Sequence, residues 1–168
     1  MVVMLALERR TIVHIGVTRH PTAEWSAQRV AEAIGDRKPP RFLLHDRDSV
    51  YGEAFRRRVG GLGMRELITP PRAPTANAYC ERVIGTIRRD CLDHLLVWDE
   101  CQAERLLREY VSYHDGRPHR GLHLQVPAGG NWLAPARLPP TTAVRGIPIL
   151  GGLDHRYGVA PDDARLPG

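Results

Sequence analysis

Two carboxylates, each at the boundary of a predicted element, constrain this chain more than any other feature. Asp46 follows Phe42-Leu43-Leu44, a short apolar run that predicts a buried strand. Glu81 comes 35 residues later, in the first turn of a helix that is expected to begin at Thr75 or Asn77. An acid at a strand end and another at a helix start can together hold a hard divalent cation over a phosphodiester.

The spacing of apolar residues predicts α/β structure around these acids. Two β-rich runs, 1–7 and 11–17, are expected to form a hairpin in which Val13, Ile15 and Val17 share one face. The further predicted elements, in chain order, are a helix capped by Thr22 that ends at Ile34, a short helix 53–59, a strand 65–68, the helix from Thr75 or Asn77 to Leu96, and a helix capped by Asp99 that ends near His114.

The helix that carries Glu81 has one face that suits a DNA backbone. Glu81, Gly85 and Arg88 are spaced so that a carboxylate, a residue without a side chain and a guanidinium follow one another along that face. By themselves these residues are more typical of a first-turn Glu favoured by the helix dipole and a solvated Arg. The presence of Asp46, the other acid of the expected metal site, favours a role of this face in binding DNA.

Residues 127–168 differ in composition from the rest of the chain, because they are rich in Pro and Gly. We therefore predict a core domain over 1–126 and a Pro/Gly-rich tail over 127–168. Within the tail, only 142–145 and 147–150 show a strand-like pattern. The tail is expected either to be poorly ordered or to wrap around the core domain.

The two acids and a motif further along the chain resemble the catalytic core of bacterial insertion-sequence transposases, which is similar to retroviral integrase. The motif, residues 113–122, is similar to the family's Tyr-Asn-x-x-Arg-Pro-His-x-x-Leu signature. The likeness runs from about Met1 to about Gly130. It implies an RNase H-like mixed sheet flanked by helices, in which two Asp and one Glu bind Mg²⁺ or Mn²⁺.

In this resemblance Asp46 matches the second acid and Glu81 the third, which implies that both are catalytic and bind metal. Asp48 is at most an outer acid, since the family usually has Gly there. No Asp precedes Asp36, and the earlier Glu residues lie in a predicted turn or helix; they are Glu8, Glu24 and Glu32. We therefore expect that the chain begins within the family's second strand and lacks the first acid and the first, central strand.

A missing central strand would leave an unpaired edge on each of its two neighbours, the strands 2–7 and 41–45. Buried backbone groups without partners cost about 1–3 kcal/mol each, so a few of them rival the stability of a domain. We expect the edges either to close on each other in a rearranged sheet or to make the isolated chain prone to aggregation.

The resemblance implies that the partner is double-stranded DNA, at transposon ends and target, with a second copy of the chain as a further partner. The residues expected to contact DNA are Arg88, Arg82, Arg89, Arg117 and His119. The function implied is Mg²⁺-dependent strand transfer in DNA integration and recombination. The alternative is an inactive remnant that binds DNA or a full-length partner. An excess of 24 Lys and Arg over 19 Asp and Glu agrees with either function and equally with a solvated surface.

Other classes of function find less support in the sequence. Three Cys without a Cys-x-x-Cys pair favour a reducing cytosol over a disulfide framework, and we expect a cytoplasmic, nucleoid-associated protein. The apolar run 1–7 is too short for a membrane span. A zinc site on His114, His119 and His123 is not favoured, because no Cys pair accompanies them. No P-loop or dinucleotide fingerprint indicates a small-molecule substrate.

Overall fold

The computed structural model describes residues 1–71, 77–129 and 143–159. The elements, in chain order, are β1 (Val2–Ala6), β2 (Thr11–Gly16), α1 (Ala23–Ile34), β3 (Phe42–His45), α2 (Glu53–Gly61), β4 (Arg65–Ile68), α3 (Ala78–Asp90), α4 (Glu100–Gly116), β5 (Val144–Ile149) and β6 (Asp154–Val159). Short 3₁₀ turns lie at Ser49–Tyr51, Leu92–His94, Arg120–Leu122 and Leu150–Gly152. None of the helices in these ranges has the length and apolar character that a membrane crossing requires.

The strands form small separate sheets. β1 and β2 are antiparallel, β3 and β4 are parallel, and β5 and β6 are antiparallel. The α/β class is confirmed, whereas one continuous mixed sheet does not form among the described residues. β1 and β3 each keep an edge that pairs with no other described strand, so the unpaired edges are present and do not close on each other. Met4 of β1 and Leu43 of β3 nevertheless pack against the same apolar cluster.

The hairpin contains a bulge that the sequence pattern did not indicate. The register shifts between Met4 and Leu5, and Val13 is left without a partner on β1. A bulge of one residue reverses which side chains point to a given face. Ile12 is therefore buried together with Ile15 and Val17, and the expectation that Val13 occupies this face was wrong.

Two apolar clusters hold the helices. The first lies between the hairpin, α3 and α4, and its buried members are Ile12, Val83, Ile87, Cys91, Leu107, Tyr110 and Leu150. The second lies around α1 and α2, and its buried members are Val30, Phe55, Val59 and Met64. The first cluster fixes α3, which carries Glu81, against β1 and β2. The second supports β3, which directly precedes Asp46.

Several predicted boundaries differ from the observed ones. α2 continues through Gly60 and Gly61 instead of ending at Val59. α3 ends at Asp90 instead of Leu96, because Cys91 leaves the helical conformation, with φ −139° and ψ −68°, and packs into the first cluster. The predicted start at Thr75 lies outside the described residues. β3 is less buried than expected, since Phe42 is 43% exposed.

Part of the Pro/Gly-rich tail packs against α4. Leu150 is 1% exposed within the first cluster, and its N–H donates to Glu109 Oε1 at 2.8 Å. The strand-like patterns at 142–145 and 147–150 together predicted all of β5 except Gly146, whereas β6 was not predicted. The ranges 130–142 and 160–168 lie outside the described residues. The division of the chain at residue 127 stays a prediction.

Candidate active site

Asp46 is exposed directly after β3, at the carboxyl end of the parallel pair. Its Oδ1 accepts the N–H of Asp48 at 3.1 Å, which folds the loop back towards the strand. The Oδ1 of Asp48 in turn accepts the N–H of Val50 at 3.1 Å and so caps the following 3₁₀ turn. Asp48 therefore has a local structural role, which agrees with its expected place outside the metal ligands.

A buried histidine fixes the end of β3 beneath Asp46. His45 is 6% exposed, and its Nδ1 donates to the carbonyl oxygen of Asp46 at 2.6 Å. Its Nε2 lies 3.1 Å from Glu66 Oε2 on β4. The rings of Tyr51 and Phe55 pack on the imidazole, with centroids at 4.6 and 5.3 Å. This cluster holds the backbone that presents Asp46. Neither His45 nor Glu66 was predicted from the sequence. For His45, the available signal was a polar residue at the end of an apolar strand.

Glu81 is exposed in the first turn of α3, where the helix dipole favours a negative charge. Tyr51 links this turn to the loop after β3. Burial raises the pKa of Tyr51 to about 12, and smaller contributions come from Asp46, Asp48 and Cys80, the residue that precedes Glu81. The phenol therefore lies within electrostatic range of residues from both segments that carry the expected acids. Within the described residues, no group of three or more His, Cys, Asp or Glu side chains is gathered in a form that could hold a metal ion.

Three basic residues follow Glu81 along α3: Arg82, Arg88 and Arg89. Arg88 is solvent-exposed, and its Nε lies 3.7 Å from Asp93 Oδ1, a distance typical of a weak surface pair. The guanidinium of Arg89 covers Gly85, because a Cβ added at Gly85 would meet Arg89 Nη1 at 3.2 Å. The helix surface at Gly85 is therefore covered by a side chain, whereas the sequence pattern suggested that it was open. Arg82 is exposed on the adjacent side of the helix.

Arg117 and His119 fix the chain after α4. Arg117 Nη2 donates to Asp90 Oδ2 at 3.1 Å, and Nη1 donates to the Tyr113 hydroxyl at 2.8 Å. These contacts join the end of α3 to the end of α4. His119 Nε2 donates to the carbonyl oxygen of His114 at 2.8 Å. The motif thus has a structural role, while its expected contact with DNA stays a prediction.

The two half-buried histidines predict a loss of stability in acid. Burial lowers the pKa of His119 and of His14 below the ordinary value. The unfolded chain then binds these protons more readily, so stability that is present above pH 6.5 is lost as the pH falls below it. Urea unfolding between about pH 7.5 and about pH 5.5 should show this decrease, and His119→Gln should reduce it. Greater stability at the lower pH would contradict the assignment.

Comparison with known proteins supports the interpretation of α3 and α4. Residues 62–127 match the family model described as integrase core domain. This segment is similar to integrase core sequence. The match covers less than half of the chain, and it includes Glu81 and the motif at 113–122, whereas Asp46 lies before it. No curated protein matches the chain. The resemblance to integrase and transposase cores is therefore confirmed for the part of the fold that contains α3 and α4.

Proposed function

We propose that this chain is a catalytic core that joins DNA by Mg²⁺-dependent strand transfer, with Asp46 and Glu81 as metal ligands. The observation that carries the proposal is that Glu81 lies inside the integrase core match, while Asp46 directly follows the parallel strand β3. The influence of both Asp46 and Cys80 on the pKa of Tyr51 supports a common cleft for the two carboxylates. We propose that the acids lie within roughly 10 Å of each other, so that they can share metal ions with ligand distances of about 2.1 Å.

The donor set fits Mg²⁺ or Mn²⁺. Asp46 and Glu81 are exposed carboxylates, and neither forms an ion pair with any described residue. Mg²⁺ is commonly bound by one or two carboxylates, with the remaining positions filled by water and substrate phosphate. When bound, the metal would supply activation of the attacking hydroxyl and stabilisation of the leaving oxygen.

The chain's own residues would orient the acids and hold the DNA. The Asp48 N–H fixes one oxygen of Asp46, and His45 fixes the Asp46 backbone. Arg88 and Arg89, on the same helix as Glu81, would bind backbone phosphates, with Arg82 beside them. We further propose the RNase H-like strand order, in which the free edges of β1 and β3 flank one further strand.

A second candidate function is DNA binding without chemistry. It is favoured by the fact that no third carboxylate joins Asp46 and Glu81 within the described residues. In that case the chain would bind duplex DNA, or a full-length partner, and leave the strands intact. The basic surface of α3 serves this function equally well.

A strand-transfer assay distinguishes the two candidates. The purified chain is incubated with a labelled duplex that ends in a free 3′ hydroxyl and with a circular target, in Mg²⁺, in Mn²⁺ and with EDTA. We expect joined products only with the divalent metals. Binding of the duplex without joined products in any metal would favour the second candidate. Absence of both binding and joining would contradict the DNA function altogether.

A further inference from the structure

A cleft against α3 collects basic side chains from three parts of the chain. Its apolar floor is Leu5 and Val83, and its volume is about 130 Å³. The polar walls come from the hairpin turn, from α3 and from the end of α4 with the motif that follows; they are Arg10, Tyr79, Arg82, Thr86, His114, Arg117 and His119. None of the described residues that line this cleft is a carboxylate.

The hairpin turn is anchored so that Arg10 points into the cleft. Arg10 has a φ of 56°, a left-handed conformation that only a fixed turn maintains in a non-glycine residue. Its guanidinium lies 4.8 Å from the Tyr79 ring centroid, in a cation–π contact. On the other side it packs against Gly121, where an added Cβ would lie 1.8 Å from Arg10 Nη1. The neighbouring Arg9 donates to the carbonyl oxygens of Val126 and Pro127 at 2.9 and 3.0 Å and holds the turn in place.

The positive charge of the cleft is only partly neutralised. Arg117 is paired with Asp90 at 3.1 Å, whereas Arg10 and Arg82 have no carboxylate partner within the described ranges. Burial lowers the pKa of His119, which keeps that ring neutral near pH 7. The net charge that an incoming group meets is therefore carried by the two arginines, Arg10 from the hairpin and Arg82 from α3.

The size of the cleft limits what can enter it. A volume of about 130 Å³ is well below the roughly 300–1,000 Å³ of pockets that enclose a drug-sized ligand. A single tetrahedral anion is the group that matches both the space and the two guanidinium groups, since Arg binds phosphate oxygens in a bidentate manner. Tyr79 and Arg82 flank Glu81 in the first turn and a half of α3, so the cleft begins where the proposed active site ends.

We propose that Arg10 and Arg82 form a subsite for one backbone phosphate of the DNA substrate, with Tyr79 and Gly121 positioning Arg10. The subsite rests on the proposed function and adds the hairpin turn to the DNA-binding surface. The subsite would hold the DNA strand at one point beside the active site. Contacts with phosphate set the register of a duplex without reading its sequence.

Duplex binding at several salt concentrations tests the subsite. The chain and the variants Arg82→Gln, Arg10→Gln and Gly121→Ala are titrated with one labelled duplex, and thermal unfolding confirms that each is folded. Each arginine variant should lower the slope of log affinity against log salt by about 0.9, because one phosphate contact is lost. Between 50 and 200 mM salt, one such contact corresponds to about 3.5-fold in affinity. The matched control is Arg57→Gln, whose exposed guanidinium lies on α2 beside Glu53.

The Gly121→Ala variant separates a positioned subsite from general attraction to positive charge. It keeps every charge but makes the Arg10 guanidinium shift from its position against Gly121, so it should lower the salt slope of duplex binding as Arg10→Gln does. Wild-type slopes in both arginine variants, or equal losses in Arg57→Gln, would overturn the subsite while leaving the proposed function intact. A third outcome is that millimolar inorganic phosphate binds the wild-type chain, that both arginine variants lose this binding, and that duplex binding stays unchanged in the variants. That outcome would assign the cleft to free phosphate and also overturn the subsite. A wild-type chain that binds no duplex would contradict the proposed function itself.

Discussion

Replacement of Glu81 by Gln, or of Asp46 by Asn, is expected to reduce strand transfer by about 10³-fold or more. Both changes keep the shape of the side chain and remove the negative charge that binds the metal. Charge stabilisation by a bound metal contributes several kcal/mol to the transition state, and each 1.36 kcal/mol corresponds to about tenfold in rate. The rate of product formation at saturating duplex measures the effect. Duplex binding in EDTA should stay close to wild type, because neither acid contacts a phosphate directly.

Metal binding gives a second readout of the same two variants that needs no catalysis. A ligand that binds only the folded chain raises its stability, by about 2.7 kcal/mol when its concentration is 100 times Kd. Mg²⁺ or Mn²⁺ should therefore raise the unfolding temperature of the wild-type chain. The rise should be lost in Glu81→Gln and in Asp46→Asn. A rise that persists in both variants would show that the metal binds elsewhere.

Two control variants make this result specific. Asp48→Asn keeps an oxygen that can accept the Val50 N–H, so the 3₁₀ turn should persist, and activity should stay within a few-fold of wild type. Glu53→Gln removes an exposed carboxylate from the first turn of α2 and should have no effect. A loss in Asp48→Asn as large as that in Asp46→Asn would make Asp48 a metal ligand and contradict its structural assignment.

Replacement of Asp115 by Ala is expected to cause the largest loss of stability outside the apolar clusters. Asp115 is 8% exposed, and its Oδ1 accepts the N–H of Ile12 at 3.2 Å and the Nδ1–H of His114 at 2.9 Å. The first bond joins α4 to the bulged strand β2. A buried donor left without its acceptor costs about 1–3 kcal/mol, so two such donors predict a loss of about 2–6 kcal/mol. Urea unfolding of the variant measures this difference directly.

Asp115→Asn is the matched variant, because its side-chain oxygen can still accept the Ile12 N–H. It should recover a large part of the stability that Asp115→Ala loses. A loss of about 2–6 kcal/mol is a substantial share of the roughly 5–15 kcal/mol of a typical domain, so Asp115→Ala should also reduce the yield of folded protein. Equal stability of Asp115→Ala and wild type would show that the hydrogen bond between α4 and β2 contributes nothing to the fold.

The sequence by itself determined the elements whose causes are local. Thr22 and Asp99 accept backbone N–H groups at the starts of α1 and α4, and both caps were predicted from residue type and the apolar spacing that follows. The apolar run before Asp46 predicted β3, and the Pro-rich segment before α3 predicted a helix start close to Glu81. The signature at 113–122 identified the family that the match over 62–127 confirmed. Each of these signals lies within a few residues of the feature that it predicts.

Only the tertiary structure decided which distant residues meet. The bulge at Val13 depends on the register between β1 and β2, and the pattern of alternating residues does not contain it. The burial of Leu150 against α4 depends on contacts across 41 residues, between Leu150 and Glu109. His45 finds Glu66 on the next parallel strand, and Arg10 finds Tyr79 and Gly121. Packing and hydrogen bonding depend on which residues are close in space, whereas periodicity and capping depend only on neighbours along the chain.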